Sequence, residues 1–198
     1  MKVLLVFPPY TLKERYAKNV GNVGGHLPPL GLCYIAGVLE KAGHVVQIMD
    51  CPVNKYSLDD VTKRIKEFQP DIVGLGAITM LIERVTDLTK GIKKEFPNQL
   101  IVIGGPHPTN MPKETLEQTG CDIVIRGEAE YAFLDIANNP MPFREKKIIQ
   151  GTRVNDLDSM PFPARHLVDM SLYTSLPNNY KTDKNVFQMF STRGCPYT

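Results

Sequence analysis

Residues 100–109 read LIVIGGPHPT, and this stretch decides the fold class. The apolar run over residues 100–103 is short and continuous, which is typical of a strand buried on both faces of a parallel sheet. Gly104 and Gly105 then allow the backbone to approach a ligand where a side chain would block it. An isolated Gly-Gly pair would indicate only a tight turn. Here the PHPT that follows stiffens the loop and presents polar groups, which favours a binding loop.

The same kind of apolar run recurs on both sides of this stretch, with helical patterns between the runs. The predicted strands are Val3–Phe7, Val45–Asp50, Asp71–Ile78, Leu100–Gly104 and Asp122–Arg126. The predicted crossover helices are Pro29–Lys41, a segment capped by Ser57, a stripe from Leu81 to Phe96, a short segment from Pro112, and Glu128–Asn138. Alternating strands and helices with right-handed crossovers predict an α/β fold with a doubly wound, five-stranded parallel sheet.

Residues 140–198 follow a different pattern. Periodicity there is interrupted by prolines at 140, 142, 161, 163, 177 and 196. We therefore expect one domain over residues 1–139 and an extended connector after it. Val186–Phe190 is the clear strand candidate of this region and predicts the start of a further domain that is cut off.

The composition argues against several classes of protein. The chain has 23 Lys and Arg against 21 Asp and Glu, and its net charge of +2 is spread along the sequence, so neither a nucleic-acid partner nor a polybasic membrane patch is indicated. The apolar stretches are far shorter than the roughly 18 residues of a membrane span, and we expect no cleavable leader. The four cysteines are widely spaced, which is typical of a reduced chain. We expect a cytoplasmic protein.

Ligands of open parallel sheets bind outside the carboxyl ends of the strands, so the loops there carry the candidate residues. A nicotinamide site needs G-x-G-x-x-G after the first strand and an acidic residue after the second, and Asp50 meets only the second requirement. Gly74 and Gly76 lie inside a strand. The sequence contains no G-x-x-x-x-G-K-[ST], which excludes a P-loop. The candidate binding residues are Pro9, Tyr10, Thr79, Leu81, Gly104, Gly105, Pro106, His107, Thr109, Gly127 and Glu128.

Several short motifs occur in a specific order. They are PPLGL at 28–32, GGPHPT at 104–109, RGEAE at 126–130, DLDSMPFP at 156–163 and TRGCPYT at 192–198. Each motif is weak alone, but in this order they resemble the cobalamin-binding radical S-adenosylmethionine enzymes over essentially the whole chain. The resemblance implies a flavodoxin-like (Rossmann-like) cobalamin-binding domain over residues 1–139, followed by the connector and the start of a radical S-adenosylmethionine barrel over residues 140–198.

The resemblance also implies an iron-sulfur centre in a longer parent enzyme. Cys195 matches the first cysteine of the family's Cys-x-x-x-Cys-x-x-Cys, whose three thiolates hold a 4Fe-4S cluster with one iron open to S-adenosylmethionine. The sequence stops before the second cysteine, so we expect a truncated chain that is inactive alone and whose partner is the missing barrel. The parent would be a methyltransferase or an oxidative cyclase of the anaerobic magnesium-protoporphyrin type.

Some cobalamin contacts can be carried over residue by residue. Cobalamin domains of the methionine-synthase type carry S-x-L after the third strand and G-G after the fourth. This sequence is similar at both places, with Thr79-x-Leu81 and Gly104–Gly105. The resemblance implies that the glycines make space for the nucleotide tail and that Thr79 offers it a hydroxyl. Glu128 and Glu130 would lie near the corrin rim, or would only complement a helix dipole.

The D-x-H-x-x-G motif of that type is missing after the first strand. We therefore expect no protein imidazole as the lower cobalt ligand, with His26 or His107 as the alternative ligands. Two other functions remain open at this point. The domain could be a cofactor-free platform for substrate recognition or packing, or it could bind a flavin or nucleotide, since this fold accepts many ligands.

Overall fold

The computed structural model describes residues 1–10, 26–173 and 188–194. Within them, six parallel strands form one sheet in the order β2-β1-β3-β4-β5-β6. The strands are β1 Lys2–Phe7, β2 Val45–Asp50, β3 Ile72–Gly76, β4 Leu100–Gly104, β5 Ile123–Arg126 and β6 Ile148–Gln150. The predicted doubly wound parallel class is confirmed. The strand order changes direction between β1 and β3, which is where such sheets open a crevice at their carboxyl edge.

Helices cover both faces of the sheet. They are α1 Leu30–Lys41, α2 Cys51–Asn54, α3 Leu58–Phe68, α4 Ile82–Glu95, α5 Pro106–Asn110, α6 Pro112–Thr119, α7 Glu130–Asn138 and α8 Met141–Lys146. One core, around Leu5 and Phe133, lies between the sheet and α1 and α7. The other, around Leu4 and Val85, lies on the α3 and α4 face. In the part of the chain described, none of the helices has the length and apolarity needed to span a membrane.

The sheet contains one strand more than the five predicted. β6 pairs with β5 at the sheet edge, with Val124 opposite Ile148. Three residues are too few to form an apolar run that a sequence pattern could detect. Helix α8 and the 3-10 turns Leu157–Ser159, Arg165–Leu167 and Met170–Leu172 also lie in this region, so short helical pieces alternate there with extended ones. Of the predicted strand Val186–Phe190, residues 186–187 lie outside the described residues and residues 188–190 are not in a strand.

The stretch after β4 forms helix α5 where the sequence indicates a stiffened loop. Pro106 occupies the first helical position, where the missing N–H costs no hydrogen bond. The Thr109 hydroxyl and the Asn110 amide donate back to the carbonyl oxygens of Gly105 and Pro106, both at 2.8 Å. These local bonds stabilise a single helical turn that no hydrophobic periodicity announces.

Helix α3 begins as the sequence predicts. The Ser57 hydroxyl accepts from the Asp60 N–H at 3.3 Å, and the Asp60 carboxylate accepts from the Ser57 N–H at 2.8 Å. This capping box satisfies two backbone donors at the start of the helix. The hydrogen bonds from Ser57 lower the pKa of the exposed Asp60 carboxyl.

A polar cluster fixes the amino end of β4 against β5. Asp122 accepts from the Ile101 N–H at 2.7 Å, and its carboxylate bonds the Lys93 ammonium at 2.7 and 2.9 Å. Lys93 also donates to the carbonyl oxygen of Gln99 at 2.8 Å. The cluster therefore ties helix α4 to both strands, and it holds the pairing of β4 with β5 at the edge opposite the ligand loops.

The described part of residues 151–173 packs against helix α1 and the end of β2. The Ala164 N–H donates to the Cys33 carbonyl at 2.9 Å, and the Tyr173 hydroxyl donates to the Asp50 carboxylate at 2.9 Å. Tyr173 and Asp50 are both buried. Burial together with the neighbouring Asp50 charge raises the pKa of the Tyr173 phenol, so this hydroxyl stays a donor.

Candidate ligand-binding cleft

A cavity of about 360 Å³ opens at the carboxyl edge of the sheet, between the strands and helices α1 and α7. Its walls are largely apolar, and this size is within the range of small-molecule sites. The large wall side chains come from three strands and two helices; they are Leu5, Phe7, Leu32, Ile35, Val102, Ile125 and Phe133. Polar groups lie at the mouth, so the cavity can take an apolar group deep and hold a polar one outside.

Missing side chains open this cleft. Gly76 and Gly104 lie opposite each other in the paired strands β3 and β4 and line the same wall. A Cβ on Gly104 would meet only the Ala129 Cβ, at 3.8 Å, and a Cβ on Gly76 would meet the Phe7 ring at 3.4 Å. A longer side chain at either position would extend into the cavity. The backbone at both positions would accept a residue with a side chain, and that side chain would occupy part of the cavity. The cleft therefore depends on glycine at both positions.

Gly74, two residues before Gly76, has another role. A Cβ there would lie 2.7 Å from Leu5 Cδ2 and 2.8 Å from the Phe133 ring. The Phe133 ring therefore packs directly on the strand backbone and forms the floor of the cleft. The Gly74-x-Gly76 pattern, which the sequence places inside a strand, leaves two positions without side chains on one face of the sheet because side chains alternate.

Gly105 supports the loop conformation and does not open the cavity. Its φ is +118° and its ψ is −173°, a combination that is essentially restricted to glycine. A Cβ would lie 2.6 Å from the carbonyl oxygen of Ala77. The expectation that both glycines make space for a ligand is therefore corrected: Gly104 leaves the space, and Gly105 lets its backbone line the cavity beside Ala77.

Thr109 joins the loops after β4 and β5. Its hydroxyl donates to the Gly105 carbonyl at 2.8 Å and accepts from the Gly127 N–H at 3.0 Å. Gly127 has a φ of +76° and, like Glu128, lines the cleft. Thr109 itself does not line it, so the structure places this predicted binding residue as a support for two loops that do.

The mouth of the cleft carries an ion pair that sequence reasoning missed. The Arg193 guanidinium donates to the Glu130 carboxylate at 2.7 Å and lies 3.8 Å from that of Glu128. Glu128 also accepts from the Val154 N–H at 2.8 Å. Arg193 and Phe190 line the cavity together with the two glutamates. No local signal could have paired residues so far apart in the sequence.

The remaining predicted residues lie at the same edge of the sheet but outside the cavity lining. The His107 Nδ1 lies 3.3 Å from the Thr79 hydroxyl, and Leu81 is buried in the turn Thr79–Leu81. His107 is buried, and its Nε2 has no hydrogen-bond partner among the described residues. Because Ile78 and Pro106, their chain neighbours, do line the cavity, Thr79 and His107 border it.

Pro9 and Tyr10, which follow β1, lie outside the cavity lining as well. Pro9 is partly buried and Tyr10 is buried. The Tyr10 ring contacts the Phe7 ring edge-on, with centroids 6.0 Å apart, and the His26 ring with centroids 6.4 Å apart. Tyr10 thus packs against Phe7, a wall residue. Cys195 lies outside the described residues, and the described residues contain no cluster of metal-ligating side chains.

These features define a doubly wound domain with a ligand-sized cleft at the strand ends. The cavity is large enough for a small-molecule ligand, its deep walls are apolar, and charged side chains lie at its mouth. The B12 binding domain family matches residues 16–137. The chain belongs to this family, and cobalamin is its cofactor.

Curated relatives extend the comparison along the whole chain. An uncharacterized methyltransferase of Pyrococcus horikoshii is 33% identical over 214 residues, which cover 100% of this chain and 44% of the relative. The anaerobic magnesium-protoporphyrin IX monomethyl ester cyclase of Rubrivivax gelatinosus is 28% identical, with 100% and 38% covered. The chain therefore spans less than half the length of these relatives.

A solved structure shows the same fold. The cobalamin-dependent S-adenosylmethionine radical enzyme OxsB, with aqua-cobalamin and S-adenosylmethionine bound, superposes with a TM-score of 0.65 at 18% identity. The match covers 82% of this chain and 24% of that chain. It supports the arrangement of the strands and helices around the cleft.

Proposed function

We propose that the cleft holds the nucleotide tail of cobalamin, and that the chain is the cobalamin-binding part of a radical S-adenosylmethionine methyltransferase or oxidative cyclase. The observation that carries the proposal is the slot left by Gly76 and Gly104 in an otherwise apolar wall. The tail of cobalamin is a long arm that ends in a flat base, and such an arm can pass between a sheet and its helices only where side chains are missing.

The residues around the slot would divide the work of binding. The apolar walls would surround the base, and Phe133 would limit its depth. The Thr79 hydroxyl, which borders the cavity beside the buried His107, would offer a hydrogen bond to the polar part of the tail. Glu128 and Glu130 are held by Arg193 at the mouth, so they would shape the rim.

When bound, cobalamin would supply the parent enzyme with a methyl group for transfer or with a redox step. This chain's contribution is to bind and orient the cofactor. Cys195 would be the first of three thiolates for a 4Fe-4S cluster in a barrel of the parent enzyme, where S-adenosylmethionine would bind, and we expect residues 1–198 alone to have no activity. The named relatives include a methyltransferase and a cyclase, which supports both reaction types.

The test is a titration with hydroxocobalamin followed by its visible absorbance. Gly104→Val adds a branched side chain inside the slot, and we expect the dissociation constant to rise about tenfold or more, which corresponds to about 1.4 kcal/mol. Gly91→Ala is the matched control because Gly91 lies on helix α4, on the far face of the sheet, where a Cβ meets only the Leu58 side chain. This control should bind cobalamin like the unchanged protein.

Unchanged affinity in a folded Gly104→Val protein would show that the tail does not enter the slot. A lack of binding by the unchanged protein would favour the cofactor-free platform. Binding of a flavin instead of cobalamin would favour a flavin module.

A further inference from the structure

The described segment 188–194 lies on the mouth of the cleft and is held there by Arg193. Besides its ion pair with Glu130, the Arg193 guanidinium carbon lies 4.7 Å from the centre of the Tyr34 ring on helix α1. Phe190 stacks on the same ring, with centroids 6.2 Å apart and planes 15° apart. The segment is thus anchored to α1 by two aromatic contacts and to α7 by a charged hydrogen bond.

Burial makes the charged contact selective for arginine. The Glu130 side chain is only 7% exposed and that of Arg193 is 14% exposed. A carboxylate removed from water needs a cation with matching hydrogen-bond donors. A guanidinium can bond Glu130 with one edge while its flat face lies on an aromatic ring, whereas an ammonium offers a single compact charge.

The backbone next to Arg193 is fixed as well. Arg153 donates through Nη2 to the Arg193 carbonyl at 3.4 Å. Gly194 has a φ of +95°, and a Cβ on it would lie 2.5 Å from the same Arg153 nitrogen. The turn that leads into Cys195 is therefore packed on the side chain of a residue from the connector.

We infer that Arg193 is a positioning residue: its pairing with Glu130 and Tyr34 fixes the chain that leads into Cys195 against the rim of the cobalamin cleft. The inference rests on the proposed function, in which the cleft holds cobalamin and Cys195 is a cluster ligand. Residues 128 and 130 line the cleft and Arg193 is two residues from Cys195. In the parent enzyme this ion pair would therefore set the distance between cobalamin and the first cluster ligand.

The test measures the spacing directly with spin labels. One nitroxide is attached to Cys195 and a second to Glu117→Cys, an exposed position on helix α6, and pulsed electron double resonance gives their distance distribution. Mass spectrometry checks that two labels are present, since the described thiols, Cys33, Cys51 and Cys121, are buried. We expect one narrow distance distribution in the labelled protein that carries no further substitution.

The variants separate the ion pair from general effects. Arg193→Ala and Glu130→Gln should each at least double the width of the distribution. Arg193→Lys should broaden it less than Arg193→Ala does. Arg144→Ala is the matched control, because Arg144 is an exposed arginine that does not line the cleft, and it should leave the width unchanged. An unchanged width in Arg193→Ala, equal broadening in Arg144→Ala, or a broad distribution in the labelled protein without further substitutions would each overturn the inference.

The same labels distinguish this inference from the proposed function. The nitroxide pair is measured without cobalamin, so a narrow distance that broadens in Arg193→Ala supports the anchoring even if cobalamin fails to bind. With cob(II)alamin bound, the distribution of distances between the cobalt and the nitroxide at Cys195 should be narrow in the protein that retains Arg193. It should be at least twice as broad in Arg193→Ala. A cobalt distance of equal width in both proteins would refute the role in cofactor spacing.

Discussion

Replacing Gly105 by alanine should weaken the fold, although the change adds one methyl group. Gly105 has a φ of +118° and a ψ of −173°, and a residue with a Cβ is strained there by about 1–3 kcal/mol. The new Cβ would also lie 2.6 Å from the Ala77 carbonyl oxygen. Backbone atoms cannot turn away as a flexible side chain can, so the strands β3 and β4 must move apart locally.

That movement would disturb two backbone hydrogen bonds. The Ala77 N–H donates to the Gly104 carbonyl at 2.8 Å, and the Ala77 carbonyl accepts from the His107 N–H at 3.2 Å. Weakening both adds about 1–2 kcal/mol, since each contributes about 1 kcal/mol. We expect Gly105→Ala to lose about 3 kcal/mol in all, and for a chain of this size the melting midpoint should fall by about 6–12 °C.

The assay is urea and thermal unfolding followed by far-ultraviolet circular dichroism. The neighbouring Gly104→Ala is the control, because its Cβ would meet only the Ala129 Cβ at 3.8 Å, an ordinary contact. Its stability should stay within about 1 kcal/mol of the unchanged protein, since alanine is no worse than glycine in a strand. Equal midpoints for Gly105→Ala and Gly104→Ala would refute the argument from backbone geometry.

Two further predictions concern the thiols and the cobalt. Burial raises the pKa of Cys33 and Cys121 to about 11, so at pH 8 about 0.1% is thiolate against about 10% at the ordinary value of 9.0. Iodoacetamide should therefore modify these two about 100-fold more slowly in the native than in the urea-unfolded protein, by mass spectrometry, and equal rates would contradict their burial. Electron paramagnetic resonance of bound cob(II)alamin should be unchanged in His107→Ala, because His107 is buried beside Thr79 and outside the cavity lining. Nitrogen triplets that vanish in this variant would instead identify His107 as the lower ligand.

The strands could be predicted because burial on both faces leaves a direct trace in the sequence. The runs at Val45–Asp50 and Leu100–Gly104 contain the observed strands with the same bounds. β6 leaves no such trace, since it is three residues long and lies at an edge. Helix α5 is also invisible to periodicity, because side-chain bonds to its own backbone hold it and its amphipathic pattern is too short to read.

The edge of the sheet that carries the site could be predicted, but not the shape of the cleft. Gly104 ends β4 and Glu128 follows β5, and the rule for parallel sheets places them together. The role of Gly76 in opening the cleft could not be predicted, because it follows from the pairing of Gly76 with Gly104, which depends on strand order and register. The partnership of Arg193 with Glu130 depends on a path through the connector that no spacing encodes.

The register between β3 and β4 carries a consequence for reading related sequences. Because neighbouring residues of a strand face opposite sides, a slip of one position would turn Ile103 towards helices α1 and α7 in place of Gly104. Asp122 and Lys93 hold β4 in register at the far end of the sheet, so they keep Gly104 facing the cavity although they do not line it. A related chain could keep every glycine of the motif and still close its cofactor site through an insertion within the strand. Alignment of the glycine motif alone is therefore insufficient evidence that a relative retains the pocket.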